Sequence, residues 1–454
     1  LRRLAGVLLA LGLALGCARL PELHYVKAPL DPAAAPRMEN SKGGVAPERA
    51  KALLAKRVPS AEGGFKARAA LEEAATGRPL IAGNKVTLLF DGPETMGAMC
   101  AAIAAATTSI NLETYIFEQD EMGQRFADLL ISRQRAGVRV NILYDAVGTL
   151  STPEAFFTRM SEAGIHLCAF HPVNPLARLG RWRINRRDHR KILVVDGAVA
   201  FTGGANISGT YGHGSLFRSK ARAPRTLGWR DTHLRLEGPA VAALQWLFVE
   251  NWESQTGEAL VTDAYFPEAV EAGAQIVRVV GSEPGSDYEI YRAYVLAIEQ
   301  AVRSIHLTSA YFVPDAQIIK ALKGAAKRGV EVRIILTTVT DSGLVQHASQ
   351  SYYTELLKAG VRLFQLHSSI LHAKTAVIDG LWSTVGSTNL DMRSFLHNKE
   401  VNVIVLGDAF GAKLEDAFQE DLRNSTEVTL GPWERRPRLD RVKEWAARIL
   451  AYYL

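Results

Sequence analysis

The sequence predicts an α/β fold: two tandem α/β/α sandwich lobes forming a pseudo-dimer with one shared active site. Three observations predict it. The chain repeats itself internally, short β-rich runs alternate with helical stretches in each copy, and one histidine–lysine–aspartate constellation occurs twice in register. At 454 residues the chain is about three times a common 150-residue domain, which excludes one small domain. Its 48% apolar and 22% charged residues exclude a disordered chain. Three cysteines exclude a disulfide framework and a multi-cysteine zinc site.

At the amino terminus, Arg2 and Arg3 precede an apolar run from Leu4 to Gly16. These 13 residues fall short of the roughly 20 that span a bilayer, so 1–16 reads as a secretory signal. Cys17 directly after Gly16 resembles a bacterial lipoprotein signal. That resemblance implies lipidation of Cys17 as the first mature residue and an exported, membrane-anchored protein facing the periplasm. Residues 17–80 read as a linker and a helical segment. Pro21, Pro29, Pro32 and Pro36 make 18–44 a tether, and 48–76 is helical in two pieces, broken near Pro59 and Gly63-Gly64. Cys100 and Cys168 sit in apolar strings and read as buried free thiols.

The repeat sets the lobes at 81–258 and 259–430. Ser109–Phe117 recurs as Ser304–Phe312, Ala136–Leu143 as Arg328–Ile335, and Glu162–Leu167 as Lys358–Leu363. Helices are expected at Gly123–Ala136 and Ala316–Arg328, between the strands of each copy. The stretch 431–454 reads as a carboxy-terminal amphipathic helix.

The chemistry lies in the paired constellation. In the first lobe His189 and Lys191 precede four apolar residues, then Asp196-Gly197, Gly203-Gly204 and Asn206. In the second, His372 and Lys374 lead through Thr375–Ile378 to Asp379-Gly380, Gly386-Ser387 and Asn389. A strand alternates its side chains, so each histidine shares a face with its lysine while Arg190 points away. Facing lobes then bring two imidazoles and two ammonium groups around one point, a pocket for a phosphodiester. One imidazole attacks phosphorus to give a covalent phosphohistidine; the other protonates the leaving alkoxide and deprotonates the incoming hydroxyl. No metal or other cofactor is called for. Asp196 and Asp379 complete the signature as candidate catalytic residues, with fixing of the Asp-Gly turn weighed above contact with substrate. Gly204, Asn206, Ser387 and Asn389 are candidates for binding the phosphate, with loop stabilisation the competing role. The remaining histidines read as surface or packing residues.

The two motifs are the H-x-K-x4-D signature of the phospholipase D superfamily, and the chain resembles its members. That resemblance implies an acid paired with each catalytic histidine, a role assigned to Asp231 and Glu400, each just before an alternating β-like run. The wording of Asn185–Lys191, Phe201–Ser208, Trp229–Thr232, Ala310–Asp315 and Gly386–Phe395 is similar to bacterial cardiolipin synthases. It implies transfer of a phosphatidyl group from one phosphatidylglycerol to another with release of glycerol, and His189 as the nucleophile. Two features depart from that family: many relatives begin with two membrane helices, and Lys399 stands where an aromatic or aliphatic residue is common.

Charge bears on the partner. His171–Arg230 holds ten Arg and two Lys against two Asp, a balance of +10, while the chain as a whole carries +6. Relative to the second lobe, the first carries two basic insertions, one with Arg178, Arg181, Arg183, Arg186 and Arg187 beside Trp182, the other with Arg218, Lys220, Arg222 and Arg225. Arginines interleaved with apolar residues suit an anionic phospholipid surface, though single-stranded nucleic acid binds such mixtures too. The expected partner is anionic phospholipid at a membrane surface, with no nucleic acid and no obligate protein partner. A phospholipase D that yields phosphatidic acid, a metal-independent exported nuclease and an idle lipid-binding protein are the alternatives.

Overall fold

The computed structural model describes residues 19–24, 34–58, 64–173, 185–212, 228–260, 263–338 and 342–454. The proposed signal, Cys17, most of the first basic insertion (including Arg178, Arg181, Trp182 and Arg183) and all four cations of the second lie outside the described residues.

Each lobe is built on seven strands of a mixed sheet, and the two sets repeat one another strand for strand; in the second, Ser425–Val428 adds an eighth, antiparallel to Arg362–Leu366. The first comprises β1 (Leu80–Phe90), β2 (Ser109–Thr114), β3 (Arg139–Asp145), β4 (His166–Phe170), β5 (Ile192–Val195), β6 (Val199–Gly203) and β7 (Thr232–Glu237). Their order is β4-β3-β2-β5-β6-β7-β1, with β2, β3 and β4 parallel and the remaining pairings antiparallel. The second comprises β8 (Gln275–Ser282), β9 (Ser304–Ser309), β10 (Glu331–Thr337), β11 (Arg362–Leu366), β12 (Lys374–Ile378), β13 (Trp382–Gly386) and β14 (Asn398–Leu406). It runs β11-β10-β9-β12-β13-β14-β8 with the same senses. The equivalent edges β1 and β8 pair antiparallel, as a pseudo-twofold axis between them requires, and join the sheets.

Strand alternation divides the core. In β5, Leu193 and Val195 face an outer helical layer, while Ile192 and Val194 face a core shared by both lobes. In β14, Ile404 and Leu406 face outward, and Val401, Val403 and Val405 enter that same shared core. A period-two run buried on both faces is the signature of a covered sheet.

Helices supply the covers. They are α1 (Pro47–Arg57), α2 (Phe65–Thr76), α3 (Asp91–Ala105), α4 (Glu121–Arg135), α5 (Glu154–Glu162), α6 (Val241–Thr256), α7 (Glu289–Glu299), α8 (Ala316–Lys327), α9 (Asp408–Arg423) and α10 (Arg438–Ile449). The repeated helices α4 and α8 fall where the sequence puts them and start alike. Asp120 caps α4 by accepting from Gly123 N, and Asp315 caps α8 by accepting from Gln317 N and Ile318 N.

The amino-terminal segment differs from the expected tether. Met38–Asn40 and Gly43–Val45 form a hairpin that adds to β1, and Leu23 lies in the core. α1 and α2 form as two pieces, then pack Leu54, Phe65 and Ala69 against Tyr294 and Ile298 of the second lobe. Glu72 locks this contact, accepting from Trp382 Nε1 at 2.9 Å and pairing with the fully buried Arg278 at 2.5 Å. Cys100 and Cys168 are buried thiols that form no disulfide. Among the described residues no helix is long and apolar enough to cross a membrane.

Candidate active site

Two short strand pairs bring the histidines together. Arg187–Asp188 runs parallel to Asn398–Lys399 at the start of β14, and His189 N donates to Lys399 O at 2.9 Å. Ile370–Leu371 runs parallel to Trp229–Arg230, just before β7, and His372 N donates to Arg230 O at 2.8 Å. Each motif thus enters its own sheet beside the acid-bearing strand of the other lobe.

The acids therefore pair across the lobes rather than with the histidine that precedes them in the chain. His189 Nδ1 lies 3.1 Å from both Glu400 oxygens, and His372 Nδ1 lies 2.8 Å from Asp231 Oδ2. A carboxylate only accepts, so wherever its acid is ionised each ring carries its proton on Nδ1 and keeps the lone pair on Nε2. Both histidines line one cavity of about 360 Å³, large enough for a phosphodiester and its headgroup. Lys191 Nζ donates to His189 O at 2.8 Å, and Lys374 Nζ donates to His372 O. The edge of Tyr115 meets His189, with centroids 5.1 Å apart, and Trp229 lies 5.2 Å from His372.

Burial and clustered positive charge set the protonation states. Burial, then Lys191, Lys374 and Arg393, hold His189 well below the usual imidazole range. Burial and Lys374 push His372 down to about 4 against the pull of Asp231. Burial also takes Lys191 down to about 7, with Glu400 opposing and Lys374 reinforcing. The two acids differ. Burial pushes Glu400 up to about 7, against Lys191 and hydrogen bonds from Ser387 and Asn398. Burial acts on Asp231 too, but His372, Lys374 and the Thr232 N–H outweigh it and hold Asp231 below the usual carboxylate range. A cavity with this cationic excess gains most from an entering anion.

Two groups of expected site residues are placed elsewhere. Asp196 and Asp379 lie at the far ends of β5 and β12, roughly five extended residues or about 16 Å from the lysines. Asp196 accepts from Thr107 N, Thr108 N and Ser109 N at 2.7–2.9 Å; Asp379 accepts from Val302 N, Arg303 N and Ser304 N at 2.7–3.1 Å. Both are turn residues with φ of 53° and 56°, in keeping with the turn-fixing role weighed above contact with substrate. Gly204 and Ser387 face the acids rather than a substrate. A Cβ on Gly204 would stand 2.1 Å from Asp231 Oδ1, whereas the equivalent Ser387 hydroxyl donates to Glu400 Oε2. Asn206 and Asn389 do line the cavity.

Tyr115, Trp229, Arg393 and Asn398 were not among the expected residues and also line it. An aromatic at the end of each repeated strand, Tyr115 after β2 and Tyr311 after β9, was the signal available for the first. Arg190 leaves the face of His189 as alternation requires and enters the interface. Its guanidinium donates to Glu400 O, Leu247 O and Ser282 O at 3.1–3.4 Å. The departing residue Lys399 is buried and pairs with Glu283. Among the described residues no three His, Cys, Asp or Glu side chains converge so as to hold a metal ion.

Known proteins resemble this chain in sequence and in fold. The family described as "Cardiolipin synthase, PLD-like domain" matches residues 99–211 and 294–422, one segment in each lobe. The chain is 38% identical over 377 residues to a cardiolipin synthase of Geobacillus kaustophilus, covering 82% of this chain and 73% of that one. It is 37% identical over 372 residues to a cardiolipin synthase of Listeria innocua, covering 81% and 75%. The fold matches the crystal structure of phosphatidylserine synthase from Haemophilus influenzae with a TM-score of 0.62 at 13% identity, over 84% of this chain and 99% of that one. With both lobes matched and the identity sustained across four-fifths of the chain, this protein belongs to the cardiolipin synthase family of phospholipase D-like enzymes.

Proposed function

We propose that the chain transfers a phosphatidyl group between two phosphatidylglycerol molecules through a phosphohistidine on His189. The observation that carries this reading is the convergence of two imidazoles on one cavity, each with Nδ1 held by an acid from the opposite lobe. His189 is held well below the usual imidazole range by burial and nearby cations, and its acid, Glu400, is raised by burial, which suits a neutral nucleophile. His372 has the firmly ionised Asp231 behind it, which suits a ring that must carry a proton in mid-reaction.

In the first step His189 Nε2 attacks phosphorus while the bond to the glycerol oxygen breaks. That oxygen takes a proton from the His372 imidazolium, and glycerol leaves. In the second, a hydroxyl of another phosphatidylglycerol gives its proton to His372 and attacks phosphorus, and the P–N bond breaks. Two phosphatidylglycerols become cardiolipin and glycerol, and both imidazoles return to their starting states. Lys191 and Lys374 stabilise the charge that grows on the non-bridging oxygens. The diester anion itself favours the charged forms of Lys191 and His372, which burial disfavours.

The setting that fits this chemistry is an anionic membrane surface without nucleic acid. The apolar run Leu4–Gly16 and Cys17 support export and a lipid anchor on the periplasmic side.

The test is incubation with phosphatidylglycerol vesicles in EDTA and separation of products by mass. Cardiolipin with one equivalent of glycerol, abolished in both His189→Ala and His372→Ala, is expected. Phosphatidic acid alone would mean that water resolves the intermediate. Turnover that survives either substitution would overturn the two-histidine mechanism.

A further inference from the structure

α10 is turned inside out. A helix on a globular surface ordinarily buries its apolar stripe and shows its polar face to water. Here Glu444 and Ala447 face the protein, Glu444 held by Arg436 at 2.6–2.7 Å. Leu439, Val442, Trp445 and Ile449 stand 58–66% exposed. At 3.6 residues per turn these four side chains share an arc of about 120°. Of eleven large apolar side chains exposed among the described residues, six lie between Leu439 and Tyr453. The exposure is therefore one coherent face.

We propose that this face of α10 inserts into the interfacial layer of an anionic bilayer and sets the mouth of the cavity against the lipid. Three observations favour lipid as the occupant. Cations flank the arc on both sides, Arg441 and Arg448 on one and Lys443 on the other, where long side chains reach headgroup phosphates while the arc sinks. The groove beside α10 is lined by Lys320, Lys323, Lys327 and Arg448 against Asp315 and Glu355, which pairs with Lys323 and Arg448, so a net positive charge extends onto the protein surface next to the helix. The helix also leads straight to the site. Eight residues after Trp445, Tyr453 lines the cavity with His189 and His372, and Arg393 of the cavity wall donates to Tyr453 O at 3.5 Å. Shallow insertion at α10 would thus bring headgroups to the cavity without drawing a whole lipid out of the bilayer.

This inference rests on the lipid chemistry proposed above, and two readouts separate its failure from failure of that reading. Neither depends on any anchoring by the segment around Cys17. The first is quenching of tryptophan fluorescence in the full chain by phosphatidylglycerol vesicles containing brominated lipid. Wild type should lose a component that Trp445→Phe lacks; equal quenching of the two proteins would overturn the proposal. The second is turnover by Val442→Asp/Ile449→Asp, with both changes on the exposed face. It should fall at least tenfold on vesicles and stay unchanged on monomeric dihexanoyl phosphatidylglycerol. Unchanged turnover on vesicles would overturn the proposal. So would a wild-type dimer, seen by sedimentation velocity, that the double variant dissociates while vesicle turnover persists, since the face would then be a subunit contact. Quenching of Trp445 without turnover of any lipid would leave this proposal standing and sink the reaction proposed above.

Discussion

Glu400→Gln bears most directly on the idea that a buried acid holds His189 ready to attack. The carboxyl accepts from His189 Nδ1 at 3.1 Å and titrates near 7 because burial raises it against Lys191, Ser387 and Asn398. When ionised it makes a charge-assisted hydrogen bond, worth about 1.5–3 kcal/mol. At 1.36 kcal/mol per factor of ten, losing that bond slows attack about 10- to 150-fold. The sign of the pH dependence follows. Roughly nine-tenths of a group titrating near 7 is ionised at pH 8 and about one-tenth at pH 6, so wild type loses the advantage as pH falls. Glutamine has no such titration. The ratio of wild-type to variant kcat/KM should therefore shrink about tenfold between pH 8 and pH 6. Lys191 acts in the same direction, since Glu400 helps to keep it charged at the upper end. The assay is the initial rate of cardiolipin and glycerol release for both proteins from pH 5.5 to 8.5 at constant ionic strength. A ratio that stays flat across that range would refute the assignment of Glu400 as the acid whose charge matters.

Three further substitutions separate roles that lie close together in the sequence. Gly204→Ala puts a Cβ 2.1 Å from Asp231 Oδ1, so turnover should drop at least tenfold although the residue faces no substrate; kcat beside a thermal melt checks this. Asp196→Asn weakens three backbone hydrogen bonds of a turn and should cost about 1–3 kcal/mol in urea denaturation, with turnover per folded molecule unchanged. Arg190→Met leaves the carbonyls of Leu247, Ser282 and Glu400 without their donor, and equilibrium unfolding should show a loss of about 2–4 kcal/mol.

The histidine–lysine pairs were legible because their spacing is a strand's own period, which needs no knowledge of the neighbours. The same holds for Asp196 and Asp379, whose Asp-Gly pairs after a buried strand mark turns; the left-handed φ values agree with that turn role. What the sequence could not show is the crossing of the acids. It depends on Arg187–Asp188 meeting Asn398–Lys399 and on Trp229–Arg230 meeting Ile370–Leu371, contacts two residues long between segments more than a hundred residues apart. No hydrophobic periodicity specifies a pairing that short. The amino-terminal helices show the other limit. The breaks at Pro59 and Gly63-Gly64 announced two helical pieces, but only packing against Tyr294 and Ile298 shows that they complete the second lobe.

Crossing has a physical consequence that chain-order pairing would lack. Had Asp231 served His189, each lobe would hold its own imidazole, and docking would merely bring two finished halves together. Instead Nδ1 of each histidine is held by an acid from the other lobe. The surface that docks them is the shared core of Ile192, Val194, Leu234 and Leu236 against Val377, Val401, Val403 and Val405, continued by the β1–β8 pairing. Arg190 fastens the same surface directly to the backbone of Glu400. Packing of valines and leucines remote from the cavity thus fixes which tautomer each imidazole adopts and how deeply both acids are buried. Those two quantities decide whether a neutral nucleophile and a protonated partner face each other across the diester.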